Sequence, residues 1–175
     1  MNDDASIKTI SATFKKKVPC TYIADGHHRA ASAAKVREAL GKEAPVGSMY
    51  FLTTLFPASE LQIMDYNRVV KDLNRVTPEQ LIESIKTDFD CTLTGKEVYK
   101  PQQPHEFGMY LNNNWYKLVA KEGTFATDPV GVLDVTILSD NLLDKHLGIK
   151  DQRTDKRIDF VGGIRGLDEL QKRVD

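Results

Sequence analysis

Ile7, Ile10, Phe14 and Val18 recur at helical spacing, so the pattern predicts an amphipathic helix over residues 5–17, stopped by Pro19. Thr21-Tyr22-Ile23-Ala24 is a short β-prone run, and Asp25-Gly26 is a turn. From His27 to Leu40 the composition favours helix strongly, with Ala30, Ala31, Ala33 and Ala34 near its start and Gly41 as its stop. The expected unit is strand, turn, helix. Gly47 to Leu55 is rich in aromatic and β-branched residues and reads as a buried strand ended by Phe56-Pro57. Ile63, Val69 and Val70 then favour an extended segment through Asp65-Tyr66-Asn67-Arg68.

The second half carries sharper signals. Thr77-Pro78-Glu79-Gln80 is a capping box with proline at the first helical position, followed by Leu81, Ile82, Ile85 and Phe89 on one face. Asn112-Asn113-Asn114 separates two strand-like runs, Phe107 to Leu111 and Trp115 to Ala120; asparagine tolerates left-handed backbone angles, so a hairpin is expected. Residues 132–147 read as a helix with Val135, Leu138 and Leu142 on one face and Gly148 at its end. Ile158 to Val161 is a short strand, Gly162-Gly163 a turn, and Leu167 to Val174 a last helix.

Strands and helices intermix without regular alternation, which gives an α+β fold with a mixed sheet and packed helices. A content of 41% hydrophobic and 28% charged residues is that of an ordinary globular chain. No apolar run approaches the roughly 18 residues of a membrane helix, and no signal-peptide core opens the chain. The expected compartment is the cytoplasm. Cys20 and Cys91 stand outside any paired metal-ligand spacing and read as small buried apolar residues. The net charge of −1 gives no broad attraction for nucleic acid, and Lys15-Lys16-Lys17 reads as a solvated helix end.

Chemistry concentrates at Asp25-Gly26-His27-His28-Arg29. A helix N-terminus offers unpaired N–H groups and partial positive charge to an anion. Gly26 permits close approach, Arg29 brings a planar cation suited to phosphate oxygens, and His27 and His28 carry ring N–H donors. Asp25 repels phosphate unless it holds Mg²⁺ or a substrate group. The plainer reading stands beside this one: Asp25 caps the helix, Gly26 makes the turn, and the rest are surface polar groups.

Residues 22–34, with Asp65-Tyr66-Asn67-Arg68-Val69-Val70 and Asp159-Phe160-Val161-Gly162-Gly163, resemble the prokaryotic domain of unknown function 1015 family over nearly the whole chain. The Asp-Gly-His-His-Arg form is similar to the phosphate-binding box of the ParB/sulfiredoxin superfamily, which includes nucleotide-dependent free-serine kinases. The resemblance implies a ParB/sulfiredoxin-like N-terminal part over residues 1–75, followed by an α+β lobe over 76–175 that is either separate or completes the same core. It implies phosphate roles for Gly26, His27, His28 and Arg29, with Asn67 and Arg68 as further cofactor contacts. Asp25 and His28 become the catalytic candidates, and Asp25 the metal ligand.

The implied function is nucleotide-phosphate binding, within a kinase or phosphotransferase that uses Mg²⁺ and ATP or ADP on an unidentified small molecule. The alternative is a non-catalytic nucleotide-binding regulatory module. Relatives are longer at both ends, so this chain is expected to be a piece of a longer protein, with the catalytic base upstream. For Arg68 the plainer alternative is pairing with Asp65 or Asp72. Residues 159–166 are either a backbone anion nest with Arg165 as donor or a tight turn.

Overall fold

The computed structural model describes residues 3–175. The chain divides into two units, one ending at Leu61 and the other spanning Gln62–Asp175.

The first unit is made of helices and turns. Helix α1 (Asp4–Lys17) is capped by Asp3, whose carboxylate accepts from Ser6 N at 2.9 Å, and it ends in Lys15, Lys16 and Lys17, where cations complement the helix dipole. Helix α2 (His27–Leu40) ends at Gly41, where the chain leaves with φ 59°. Both match the sequence pattern. The two expected strands do not form. Residues 21–24 are irregular, and Val46–Met49 is a 3₁₀ turn closed by Ser48 N to Pro45 O at 2.8 Å. A strand exists through its ladder, and β-prone residues with no partner strand stay extended or fold into local turns. No residue from Asp3 to Leu61 is buried: Ile7, Ile10 and Phe14 lie partly open, and Tyr22 and Leu52 are almost fully exposed.

The second unit holds the core. Strand β1 (Tyr66–Val70) pairs antiparallel with the C-terminal strand, so residues 62–75 belong with the second unit. Helix α3 (Pro78–Ile85) starts with the predicted capping box: Thr77 Oγ1 accepts from Gln80 N at 3.2 Å, and Gln80 returns its side-chain oxygen to Thr77 N at 2.9 Å. It buries Leu81 and Ile85. Strand β2 (Phe89–Gly95), which the sequence reading missed, runs antiparallel to β4 (Asn114–Ala120). Strand β3 (Glu106–Leu111) is joined to β4 by the expected hairpin, in which Asn112 and Asn113 take φ of 50° and 58°. The order is β2-β4-β3, so the unit holds two small antiparallel sheets, the other being β1-β5, in place of one mixed sheet. The class is α+β.

Beyond the hairpin, α4 (Asp134–Leu138) is short and passes into a π-helical turn, Ser139–Asp144. The wider turn sends three successive residues inward, Asn141, Leu142 and Leu143, where a regular helix would expose one of them. Strand β5 (Ile158–Gly162) and helix α5 (Asp168–Val174) complete the unit. Phe89 and Phe107 meet edge to face at 5.8 Å within a core that includes Ile85, Leu118, Ile137 and Ile149. Each such side chain contributes about 1.5–3 kcal/mol on burial.

Candidate functional site

Residues 25–29 line an open depression of about 370 Å³ at the start of α2. Gly26 is the cap residue, with φ 86°, and it offers no side-chain hydrogen bond. Its carbonyl accepts the first intrahelical bond, from Ala30 N at 3.0 Å. Among the described residues nothing accepts from the backbone N–H groups of His27, His28 and Arg29. Three donors therefore converge on one point, at the positive end of a fourteen-residue helix.

Asp25 does not cap this helix. Its carboxylate accepts from Arg29 Nη2 at 3.1 Å, between side chains that are 92% and 75% exposed. An ion pair so open to water contributes little, so an incoming anion displaces the carboxylate from Arg29 at small cost. Gly26 holds a left-handed angle that favours glycine, and a Cβ there would lie 3.1 Å from Arg29 Nη2 and 3.3 Å from its Nε, so an added side chain would push the guanidinium aside. His27 and His28 are exposed beside this turn. Asp25 is the one carboxylate here, and no group of three metal-ligating side chains occurs among the described residues. A Mg²⁺ held by Asp25 would take its other ligands from phosphate and water.

The structure does not gather Asn67 and Arg68 into one site. They are successive residues of β1, opposite Val161 and Phe160, so their side chains leave opposite faces of the strand pair. Arg68 pairs with neither Asp65 nor Asp72. It donates to Gln152 Oε1 at 3.3 Å and to the Tyr66 carbonyl, while Asp72 meets Arg157 at 3.5 Å. Two of the quoted motifs nonetheless prove to be partners, since Tyr66–Val70 and Ile158–Gly162 form one ladder. At its end Gly163 N donates to Asp65 O at 2.7 Å, and a Cβ on Gly163 would fall 2.8 Å from that oxygen. The segment is a tight turn: its leading N–H is taken, Arg165 faces Glu169 at 3.9 Å, and Asp65, Asp168 and Lys100 are among the residues that line the adjoining hollow.

Two buried carboxylates lay outside the sequence reading. Asp88 receives Lys145 Nζ at 2.8 Å and Thr87 Oγ1 at 2.7 Å, with His146 Nε2 at 3.2 Å. Burial pushes its carboxyl up, and these hydrogen bonds together outweigh burial, leaving it below the ordinary carboxylate range. Glu106 accepts from Tyr99 and pairs with Lys117 at 3.0 Å; the Tyr99 hydrogen bond leads in lowering its pKa. Partners 57 residues apart in sequence leave no local signal for Lys145 and Asp88. Of the cysteines, Cys20 is exposed, contrary to expectation, because the run it precedes forms no strand. Cys91 is half-buried on β2, and burial raises its thiol pKa.

No helix among the described residues is long and apolar enough to cross a membrane. No curated protein and no solved structure matches the chain. The family model described as "Protein of unknown function (DUF1015)" matches residues 1–136, a span that holds the 25–29 turn and β1 and stops short of β5. Since that span is most of the chain's 175 residues, the chain belongs to this family.

Proposed function

We propose that the turn into α2 binds the phosphates of a nucleotide, as part of a kinase or phosphotransferase acting on a small molecule in the cytoplasm. One observation carries the reading: three backbone N–H groups without acceptors at His27, His28 and Arg29, beside a guanidinium held only by an exposed ion pair. Phosphate oxygens suit both donor sets, and the helix dipole adds to the attraction. ATP or ADP is the expected nucleotide. Asp25, released from Arg29, would hold Mg²⁺ against the phosphates, and His28 would stand near the transferred group. Kinship with the ParB/sulfiredoxin superfamily and its serine kinases rests on the Asp-Gly-His-His-Arg motif alone.

The isolation of Asp25 favours a second reading. Among the described residues Asp25 pairs with Arg29 and no base hydrogen-bonds His28, so a regulatory module that binds nucleotide without turnover fits the same geometry. Titrating the chain calorimetrically with ATP, ADP and CTP, with and without Mg²⁺, tests the shared claim. Binding that disappears in Arg29→Ala and in His28→Ala supports it; unchanged affinity in both variants refutes it. Phosphate release from bound nucleotide then separates enzyme from module.

A further inference from the structure

Arg68 presents a cation whose surroundings do not balance it. Its guanidinium carbon lies 5.5 Å from the Tyr66 ring centre and 5.7 Å from that of Phe160, and the two rings stack at 5.0 Å with 11° between their planes. Nε donates to Gln152 Oε1 at 3.3 Å, and Nη1 donates to the Tyr66 carbonyl. Gln152 is itself fixed, donating to Ser139 Oγ at 2.6 Å. Every one of these partners is neutral.

The other half-buried arginine of this unit shows the usual arrangement. Arg157, just before β5, meets Asp155 at 2.8 Å and Asp72 at 3.5 Å. Arg68 has no carboxylate within 4.0 Å among the described residues, although burial costs its charge solvation and pushes its pKa down. Two of its five N–H bonds are used. Nη2 donates to no group among the described residues, and a second hydrogen remains on Nη1. The two Nη atoms span the end-on edge of the fork, from which parallel N–H donors meet two oxygens of one oxyanion.

We propose that Arg68 anchors an oxyanion site on the β1–β5 strand pair, taking a phosphate or carboxylate group of a small molecule end-on at Nη1 and Nη2. Ring stacking and the Gln152–Ser139 chain hold the guanidinium in place before the ligand arrives, so little side-chain freedom is lost on binding. The site belongs to the second unit and needs nothing from α2, so it stands or falls separately from the nucleotide reading.

The Nε–Hε resonance of Arg68, followed by ¹⁵N NMR on the whole chain, reads the guanidinium directly. Inorganic phosphate, acetate and chloride are added at equal ionic strength. Saturable movement of Arg68 with phosphate, absent with chloride and retained in Arg29→Ala, is the expected result. Movement with acetate as well assigns the site to planar oxyanions generally, and movement with phosphate alone assigns it to phosphoryl groups. Arg68→Lys keeps the charge and loses the fork, so the phosphate response at the Tyr66 and Phe160 amides should weaken about tenfold. A wild-type Arg68 resonance that moves no further with phosphate than with chloride overturns the proposal, whatever the variants do. So does an undiminished response at Tyr66 and Phe160 in Arg68→Lys. A lower melting temperature in Arg68→Lys with no ligand-dependent shift in the wild type would show that the arginine only clamps the two strands.

Discussion

The two units show two ways for a sequence to hold a helix. In α1 and α2 the instructions are local: an Asp3 cap, alanine-rich composition, and Gly41 as a stop, with no residue buried in either helix. In α3 the capping box is equally local, but Leu81 and Ile85 also enter a core shared with β2, β3 and β4. Isolated helices of about 14 residues are marginal in water, whereas packed ones draw on the whole unit. The candidate phosphate site sits on the first kind of helix. Its donors are unpaired and its ion pair is exposed, which suits a place that exchanges water for ligand.

The difference can be broken most sharply in the core. Ile85→Ala should cost the second unit about 2–5 kcal/mol, read as a lower denaturation midpoint at unchanged slope. Phe14→Ala in α1, already 40% exposed, should cost under about 1 kcal/mol. Equal effects would mean that the first unit has a core of comparable weight.

Asp88→Asn comes next, at about 1–3 kcal/mol, because it leaves Lys145 without its counter-charge and Thr87 and His146 with an altered partner. Its wild-type carboxyl is held below the ordinary range, so the folded state binds fewer protons than the unfolded chain does. The stability it contributes is complete above the unfolded value of about 4 and is lost as pH falls from there through the folded value. Acid unfolding curves should therefore be shallower below pH ~4 in Asp88→Asn than in the wild type. A variant with the wild-type acid profile would remove Asp88 from the account.

Thr77→Ala should cost about 1 kcal/mol of global stability, since its capping box supports a packed helix. Removing the Asp3 cap of α1 should leave global unfolding unchanged and speed hydrogen exchange in the first turns of α1 alone. The smallest effect on folding belongs to Gly26→Ala. The second unit should melt as before, while nucleotide affinity falls, because the added Cβ strains the turn and displaces Arg29.

What could be read from the sequence follows the range of each signal. Helices α1 and α2, the Thr77 box and the Asn112-Asn113 turn all depend on residues within a few positions of one another, and each formed as expected. Thr21-Tyr22-Ile23-Ala24 and Gly47 to Leu55 have strand composition, but a strand needs a partner and composition cannot supply one. The reverse error hid β2, where Phe89 looked like the last position of a helical face and proved to be the first residue of a strand. At the candidate site the contiguous turn at residues 25–29 was visible, because five neighbours carry it. The division of Asn67 and Arg68 between two faces and the pairing of Arg68 with Gln152, 84 residues away, depend on the fold, whereas the Asp25–Arg29 pair spans only four positions.

The central claim concerns where nucleotide phosphate lands. Backbone ¹H–¹⁵N spectra of the whole chain, recorded during titration with ATP and Mg²⁺, report every amide at once. The account predicts that the largest shifts fall on His27, His28 and Arg29, the three donors at the start of α2, and that they vanish in Arg29→Ala. Shifts confined to the second unit, or saturation with the α2 amides unmoved, would contradict it.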